Sequence, residues 1–275
     1  MRHTRPIRRP YMQHIPHYPR SAVARAIELF LVPAVFLGAL FVVLRLSGIF
    51  PRPLFVAGIS FSSLALASWL TLMRLLVAYV LALVFAIPLA LAATHSSLAQ
   101  KILLPLFDVL QSVPVLAFFP ILVAFFVDLG FTNGATILIL FVAMLWNIVF
   151  AVVGGIGLIP KDIAYAAEVF GLRGFAYLRR IVLPAIVPQC VIGSILALAQ
   201  GWNIIIVAEV IRTYLPPDSS TQNLFGLGSL LVSAAANGQV GLFLAALAAV
   251  VLIIALINFF IWQRLLKYAQ RFKFE

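Results

Sequence analysis

The sequence predicts an all-α integral membrane protein, a bundle of six transmembrane helices with both termini in the cytoplasm, and three observations predict it. First, 64% of the 275 residues are hydrophobic and only 10% are charged, a balance far outside that of soluble domains. Second, the apolar residues gather into runs of about twenty, the length that crosses a bilayer core as a helix. Third, lysine and arginine concentrate in alternate connections between those runs, the asymmetry that orients helices in a membrane.

The runs lie at about 26–46, 65–93, 102–127, 135–157, 186–210 and 240–262. A basic tail, residues 1–25, precedes the first and holds Arg2, Arg5, Arg8, Arg9, Arg20 and Arg25. The stretch from Ala26 to Leu44 is too long for a signal peptide's apolar region and has no small-residue cleavage site, so an uncleaved first span is expected. Pro88 interrupts the second span; Pro105, Pro114 and Pro120 interrupt the third. Each proline removes a backbone donor, and the freed carbonyls need protein or water partners, so these two spans are expected to line the bundle interior. Gly154, Gly155 and Gly157 close the fourth span and suit close helix packing. Residues 211–239 form a longer connection with a short interfacial helix expected around 224–235. Trp69, Trp202 and Trp262 lie near span ends, as an interfacial aromatic belt would place them. Residues 264–275 form a second cytoplasmic tail. With the N-terminus inside, the inner side also holds Lys101, Lys161, Arg173, Arg179, Arg180, Arg264, Lys267, Arg271 and Lys273, and the outer side keeps Arg45, Arg52 and Arg212.

Several function classes drop out. The net charge of +11 does not form one basic stripe with interleaved aromatics, so no nucleic-acid partner is expected. Cys190 is the single cysteine, which excludes an intramolecular disulfide and a cysteine metal cluster. His3, His14 and His17 stand in the basic tail without a cysteine or carboxylate to complete a metal site; that tail suits anionic lipid instead. Serine, histidine and aspartate are scattered over both sides of the membrane, so no enzyme active site is expected.

The segment 160–184 carries the strongest functional signal. It is basic and amphipathic, and too polar to lie in lipid. Pro160 can open a helix on which Ile163, Ala166, Ala167 and Phe170 share one face, and Gly171 can stop that helix in the left-handed conformation. A second short helix is expected to follow, with Phe175 and Leu178 on one side and Arg179 and Arg180 on the other, before Pro184 marks re-entry into the membrane. Such a hairpin suits docking into a groove of a soluble partner. Inside the spans, the charged residues Arg74, Asp108 and Glu209 are candidates for a pathway, because charge at bilayer depth is costly and usually faces the interior. Asp108 or Glu209 can pair with Arg74 structurally; alternatively Arg74 lines an anion path with Gln111, Ser112, Gln200 and Asn203 as neutral hydrogen-bonding groups.

On these residues the chain resembles the membrane subunits of binding-protein-dependent ABC importers. Their cytoplasmic signature reads Glu-Ala-Ala, three residues, Gly, nine residues, Ile, one residue, Leu-Pro. Ala166, Ala167, Gly171, Ile181, Leu183 and Pro184 match at that spacing. Tyr165 stands at the glutamate position, with Glu168 one turn later. The resemblance covers about 60–263, and the stretches DVLQSVPVLAF, WNIIIVAEVI and FGLGSLL look like the nitrate, sulfonate, taurine and bicarbonate branch.

The resemblance implies a type I ABC importer-like bundle over 26–263 in the inner membrane, paired with a second, identical or different, permease subunit. It implies that Tyr165, Ala166, Ala167, Glu168, Phe170, Gly171, Phe175, Leu178, Ile181, Leu183 and Pro184 couple the bundle to a cytoplasmic ATP-binding subunit. An external solute-binding protein would dock on the outer loops, and the cargo would be a small solute, led by anions such as nitrate, sulfonate or bicarbonate. No G-x-x-x-x-G-K-[ST] loop occurs in the chain, so ATP would bind the partner and this chain would carry no cofactor. The rival class is an ATPase-independent secondary transporter or channel whose 160–184 segment is an interfacial loop; a membrane anchor is a third. The Gly-x9-Ile-x-Leu-Pro spacing separates the first class from the others.

Overall fold

Alanines decide how the first described helix packs. A computed structural model describes residues 60–217 and 221–272, and the expected tail 1–25 and first span 26–46 lie outside the described residues. In chain order the helices are α1 (Phe61–Thr94), α2 (Ser97–Ser112), α3 (Phe119–Asp128), α4 (Thr132–Gly157), α5 (Lys161–Val169), α6 (Gly174–Ala208), α7 (Leu227–Ala236) and α8 (Val240–Phe272). On α1, Ala78, Ala82, Ala86, Ala90 and Ala93 are fully buried, three or four residues apart on one face. Small side chains let a neighbouring backbone come close in a medium where lipid is as apolar as the protein core. The bulkier Val80, Val84 and Phe85 point outward.

α4 is the neighbour, and it is the centre of the bundle, packed against α1 on one side and α6 on the other. Its buried residues Ile139, Leu140, Met144, Ile148 and Val152 form the main core with Leu75, Ile186 and Ile205. Gly193 of α6 marks a close crossing. A Cβ there would overlap Ala151 and press on the backbone at Asn147 and Ile148, so only glycine permits the approach. Gly155 likewise lies against Gln189 and Ile186, whereas Gly154 and Gly157 face open space; of the three glycines expected to pack, one does.

Among the described residues, four helices are long and apolar enough to cross a membrane: α1, α4, α6 and α8. A fifth crossing exists if the bent pair α2 and α3 counts as one. That pair shows how the proline-interrupted span expected at 102–127 is broken: the two helices meet at 70°. Pro114 is the cause. It holds Val113 in extended geometry (φ −72°, ψ 126°), as the residue before a proline prefers, and a tight turn over Val115–Phe118 follows. Pro105 and Pro120 leave their helices intact; Pro120 sits in the first turn of α3, where its missing N–H costs nothing.

The expected second short helix forms at Gly174–Tyr177 as the first turn of α6, which continues without a break past Pro184. The chain widens into a π-type stretch over Leu178–Val182, in which the Leu183 N–H donates to the Leu178 carbonyl, and this extra residue per turn accommodates the proline. Two tryptophans correct the aromatic-belt reading. Trp202 and Trp262 are core residues, 8% and 7% exposed, and only Trp69 among the three is open. α7 and α8 pack through Leu227, Leu231 and Ala246, and α8 returns along α6 through Val191, Trp262 and Ala269. Most of α8 remains an exposed apolar surface, as a lipid-facing helix requires.

Candidate functional site

The ends of α4 define the two ends of the bundle. Its 26 residues span about 39 Å at 1.5 Å per residue, so what lies at its start and at its finish is separated by roughly a bilayer core.

At the finish, Pro160 caps α5, and Asp162 in the first turn complements the helix N-terminus. Gly171 stops the helix at φ +70°. The Leu172 N–H donates to the Ala167 carbonyl at 2.8 Å and the Gly171 N–H to the Glu168 carbonyl at 3.0 Å, which together satisfy the last carbonyls. Gly174, also at positive φ, turns the chain into α6. The hairpin's apolar residues then divide. Ala167 is buried and Ile163 half-buried against the bundle, and Leu178, Ile181, Leu183 and Pro184 root the hairpin there. Tyr165, Val169, Phe170 and Phe175 are 64%, 84%, 81% and 73% exposed, far more open than large apolar side chains ordinarily stand. The single stripe expected from Ile163, Ala166, Ala167 and Phe170 is therefore split: Ala166 and Phe170 look outward, because Phe170 has already left the helix as its cap. Glu168 pairs with Arg173 across the turn at 3.4 Å, both well exposed, a contact that contributes little.

Midway along the bundle, the bend between α2 and α3 opens a cavity of about 640 Å³ against α4 and α6. Gln111, Ser112 and Gln200, widely separated in sequence, meet there with Asn147, Trp146 and Phe118. Among the described residues no charged side chain lines it. Asp108 lies one turn before Gln111, whose amide approaches its carboxylate at 3.5 Å, and Asn203 is exposed on α6 one turn beyond Gln200.

At the start of α4, Arg74 and Glu209 meet at 2.7 Å, almost wholly buried. Of the two roles open to Arg74, the geometry shows pairing. Glu209 Oε1 accepts from Arg74 Nη1 and, at 2.7 Å, from Thr71 Oγ1, while Oε2 accepts from the Gly228 N–H at 2.8 Å. Arg74 Nε donates to Asn133 Oδ1 at 2.8 Å and its Nη1 to the Phe225 carbonyl at 3.0 Å. Thr71 Oγ1 accepts from the Leu227 N–H at 2.8 Å. The Glu209 carboxylate and the Thr71 hydroxyl thus each cover one otherwise unpaired N–H opening α7, and with Arg74 and Asn133 they tie α1, α4, α6 and α7 in one network. A Cβ at Gly226 would collide with the Glu209 carboxylate, and one at Gly228 with the α6 backbone at Ile205 and Ile206.

Sequence reasoning missed Asn147, Thr71 and Asn133. Asn147 had a signal, since it is the one side-chain amide between 135 and 157. Thr71 and Asn133 had none, being ordinary polar residues near span ends.

Comparison with known proteins agrees with this architecture. The family profile described as "Binding-protein-dependent transport system inner membrane component" matches residues 82–268. The nitrate import permease protein NrtB of Leptolyngbya laminosa is 33% identical over 141 residues, 51% of this chain and 50% of that protein. The taurine transport system permease protein TauC of Escherichia coli is 26% identical over 188 residues, 68% of this chain and 64% of that protein. This chain spans about half the length of the nitrate permeases it matches. Among solved structures, a chain of the methionine ABC transporter MetNI in an inward-facing form superposes with a TM-score of 0.64 at 18% identity. The match covers 76% of this chain and 97% of that one, a likeness of fold.

Proposed function

This chain belongs to the family of binding-protein-dependent transport system inner membrane components, and from that premise we propose that it is the permease subunit of an ABC importer driven by a cytoplasmic ATPase. The observation that carries the reading is the hairpin tip. Tyr165, Val169, Phe170 and Phe175 are exposed on a capped, rigidly rooted turn. Apolar side chains held in water that way call for a covering groove. Tyr165, at the family's glutamate position, presents an aromatic ring where relatives of the signature present a carboxylate.

In this reading residues 1–25 and 264–275 are cytoplasmic tails flanking a six-span domain, 26–263, of the inner membrane. Two permease subunits, identical or different, pair, and closure of the ATPases draws their hairpins together and rocks the bundle between inward and outward access. ATP stays on the partner subunits. A solute-binding protein docks outside, partly on 211–239, and delivers a small anion of the nitrate or sulfonate class. Gln111, Ser112, Asn147 and Gln200 then offer it hydrogen bonds without a fixed positive charge, so that it is held weakly enough to leave.

The test is purification in mild detergent followed by identification of the proteins that accompany the chain. An ATPase subunit with a phosphate loop is expected with the wild type. Gly171→Glu, which forces a side chain into positive φ at the turn, is expected to insert normally yet lose that subunit and uptake. Uptake that survives ATP depletion would contradict the reading.

A further inference from the structure

We propose that the crease between the hairpin root and the last turn of α8 binds the headgroup of an anionic phospholipid. Arg180 and Arg271, 91 residues apart in the chain, line one cavity of about 290 Å³ whose remaining walls include Ile163, Ile181, Pro184 and Phe272. Among the described residues neither arginine has an acidic partner. Glu168 is taken by Arg173, Asp162 in the first turn of α5 pairs with neither, and Arg271 rests its guanidinium 5.8 Å from the Tyr268 ring centre. Two like charges lining one cavity favour the entry of an anion, and the planar fork of arginine suits phosphate oxygens.

The apolar walls say which phosphate. In the topology proposed above Pro184 and Ala185 begin the membrane-bound stretch of α6, and Phe272 ends α8, so the cavity opens where headgroups meet acyl chains. A free phosphate makes no use of those walls; a glycerophospholipid does. Arg179, Arg264 and Lys267 lie at the same end but line no part of the cavity. An acidic segment of the ATPase is the competing occupant. It is disfavoured because the exposed apolar tip, Tyr165 to Phe175, is a separate surface that shares no residue with the cavity. The inference rests on the cytoplasmic placement of the hairpin proposed above.

The experiment is native mass spectrometry of the detergent-purified full chain, with whatever subunits accompany it, after extraction from bilayers of phosphatidylcholine containing phosphatidylglycerol. Wild type is expected to retain phosphatidylglycerol, and Arg180→Gln/Arg271→Gln to retain about thirtyfold less. The charge-matched Arg179→Gln/Arg264→Gln, outside the cavity, is expected to retain it as wild type does. Millimolar inorganic phosphate should not displace the lipid; displacement would assign the site to free phosphate. Equal loss in both double variants would overturn the site in favour of diffuse attraction, and no loss in the first would overturn it outright. Loss of the ATPase from the cavity variant with lipid retained would assign the arginines to the protein partner. If no ATPase accompanies even the wild type, the coupling reading fails, while lipid retention is still read on the chain alone.

Discussion

Where α6 stops, Glu209, Arg74 and Thr71 are buried and each has found its partners within the chain; where α4 stops, four large apolar side chains stand in the open with none. The contrast follows from the two surroundings. In a bilayer a polar group without a partner costs several kcal/mol, so a carboxylate and a guanidinium at depth survive only as a closed network, and among the described residues no buried side-chain nitrogen or oxygen is left unpaired. In water the expensive item is the opposite one, exposed apolar area. In the proposed reading, a chain that closes its polar end so completely and leaves its apolar hairpin bare divides its surface between what it finishes alone and what it leaves to another protein.

The comparison breaks most readily at the polar end. Glu209→Ala strands Arg74 in the core and is expected to cost about 3–5 kcal/mol, read as a lower midpoint of thermal unfolding in detergent. Arg74→Leu/Glu209→Leu together should recover part of that loss; if the double variant is worse than the single, the network is not a paired charge. Gly228→Ala drives a methyl group into the α6 backbone and is expected to cost about 1–3 kcal/mol by the same measurement, with α7 displaced. Thr71→Val leaves the Leu227 N–H unpaired and removes a donor from Glu209, for a loss of about 1–3 kcal/mol, at or below that of Gly228→Ala. At the other end the expectation reverses. Phe170→Glu, at an 81% exposed site, should change stability by less than about 0.5 kcal/mol while abolishing copurification of an ATPase subunit. A large stability loss there would mean that the tip is packed against this chain after all.

Much of this was legible in the sequence, and the rest was hidden for physical reasons. Span positions were readable because apolar runs of membrane length have few alternatives, and α1, α4 and α8 fall where those runs lie. Gly171 was readable because few residues other than glycine end a helix at positive φ. The break at Pro114 was not separable from the harmless prolines at 105 and 120, since the effect of a proline depends on where in a helix it falls. The continuity of α6 through Pro184 depended on a one-residue widening that leaves no mark in the pattern. FGLG and the glutamate of WNIIIVAEVI could be quoted but not joined: their meeting at Gly226, Gly228 and Glu209 is a tertiary contact. The same holds for the cavity, where Gln111 and Gln200 were visible as polar residues in apolar runs and Asn147 completed the set only once α4 was placed between them.

In the proposed function, the tip of the 160–184 hairpin is an unfinished surface awaiting a protein. The most direct measurement places a photoreactive phenylalanine analogue at Val169, 84% exposed, and irradiates intact membranes. One dominant crosslink is expected, to a cytoplasmic subunit whose sequence contains a phosphate-binding loop. Crosslinks to lipid alone, or to this chain's own helices, would contradict it.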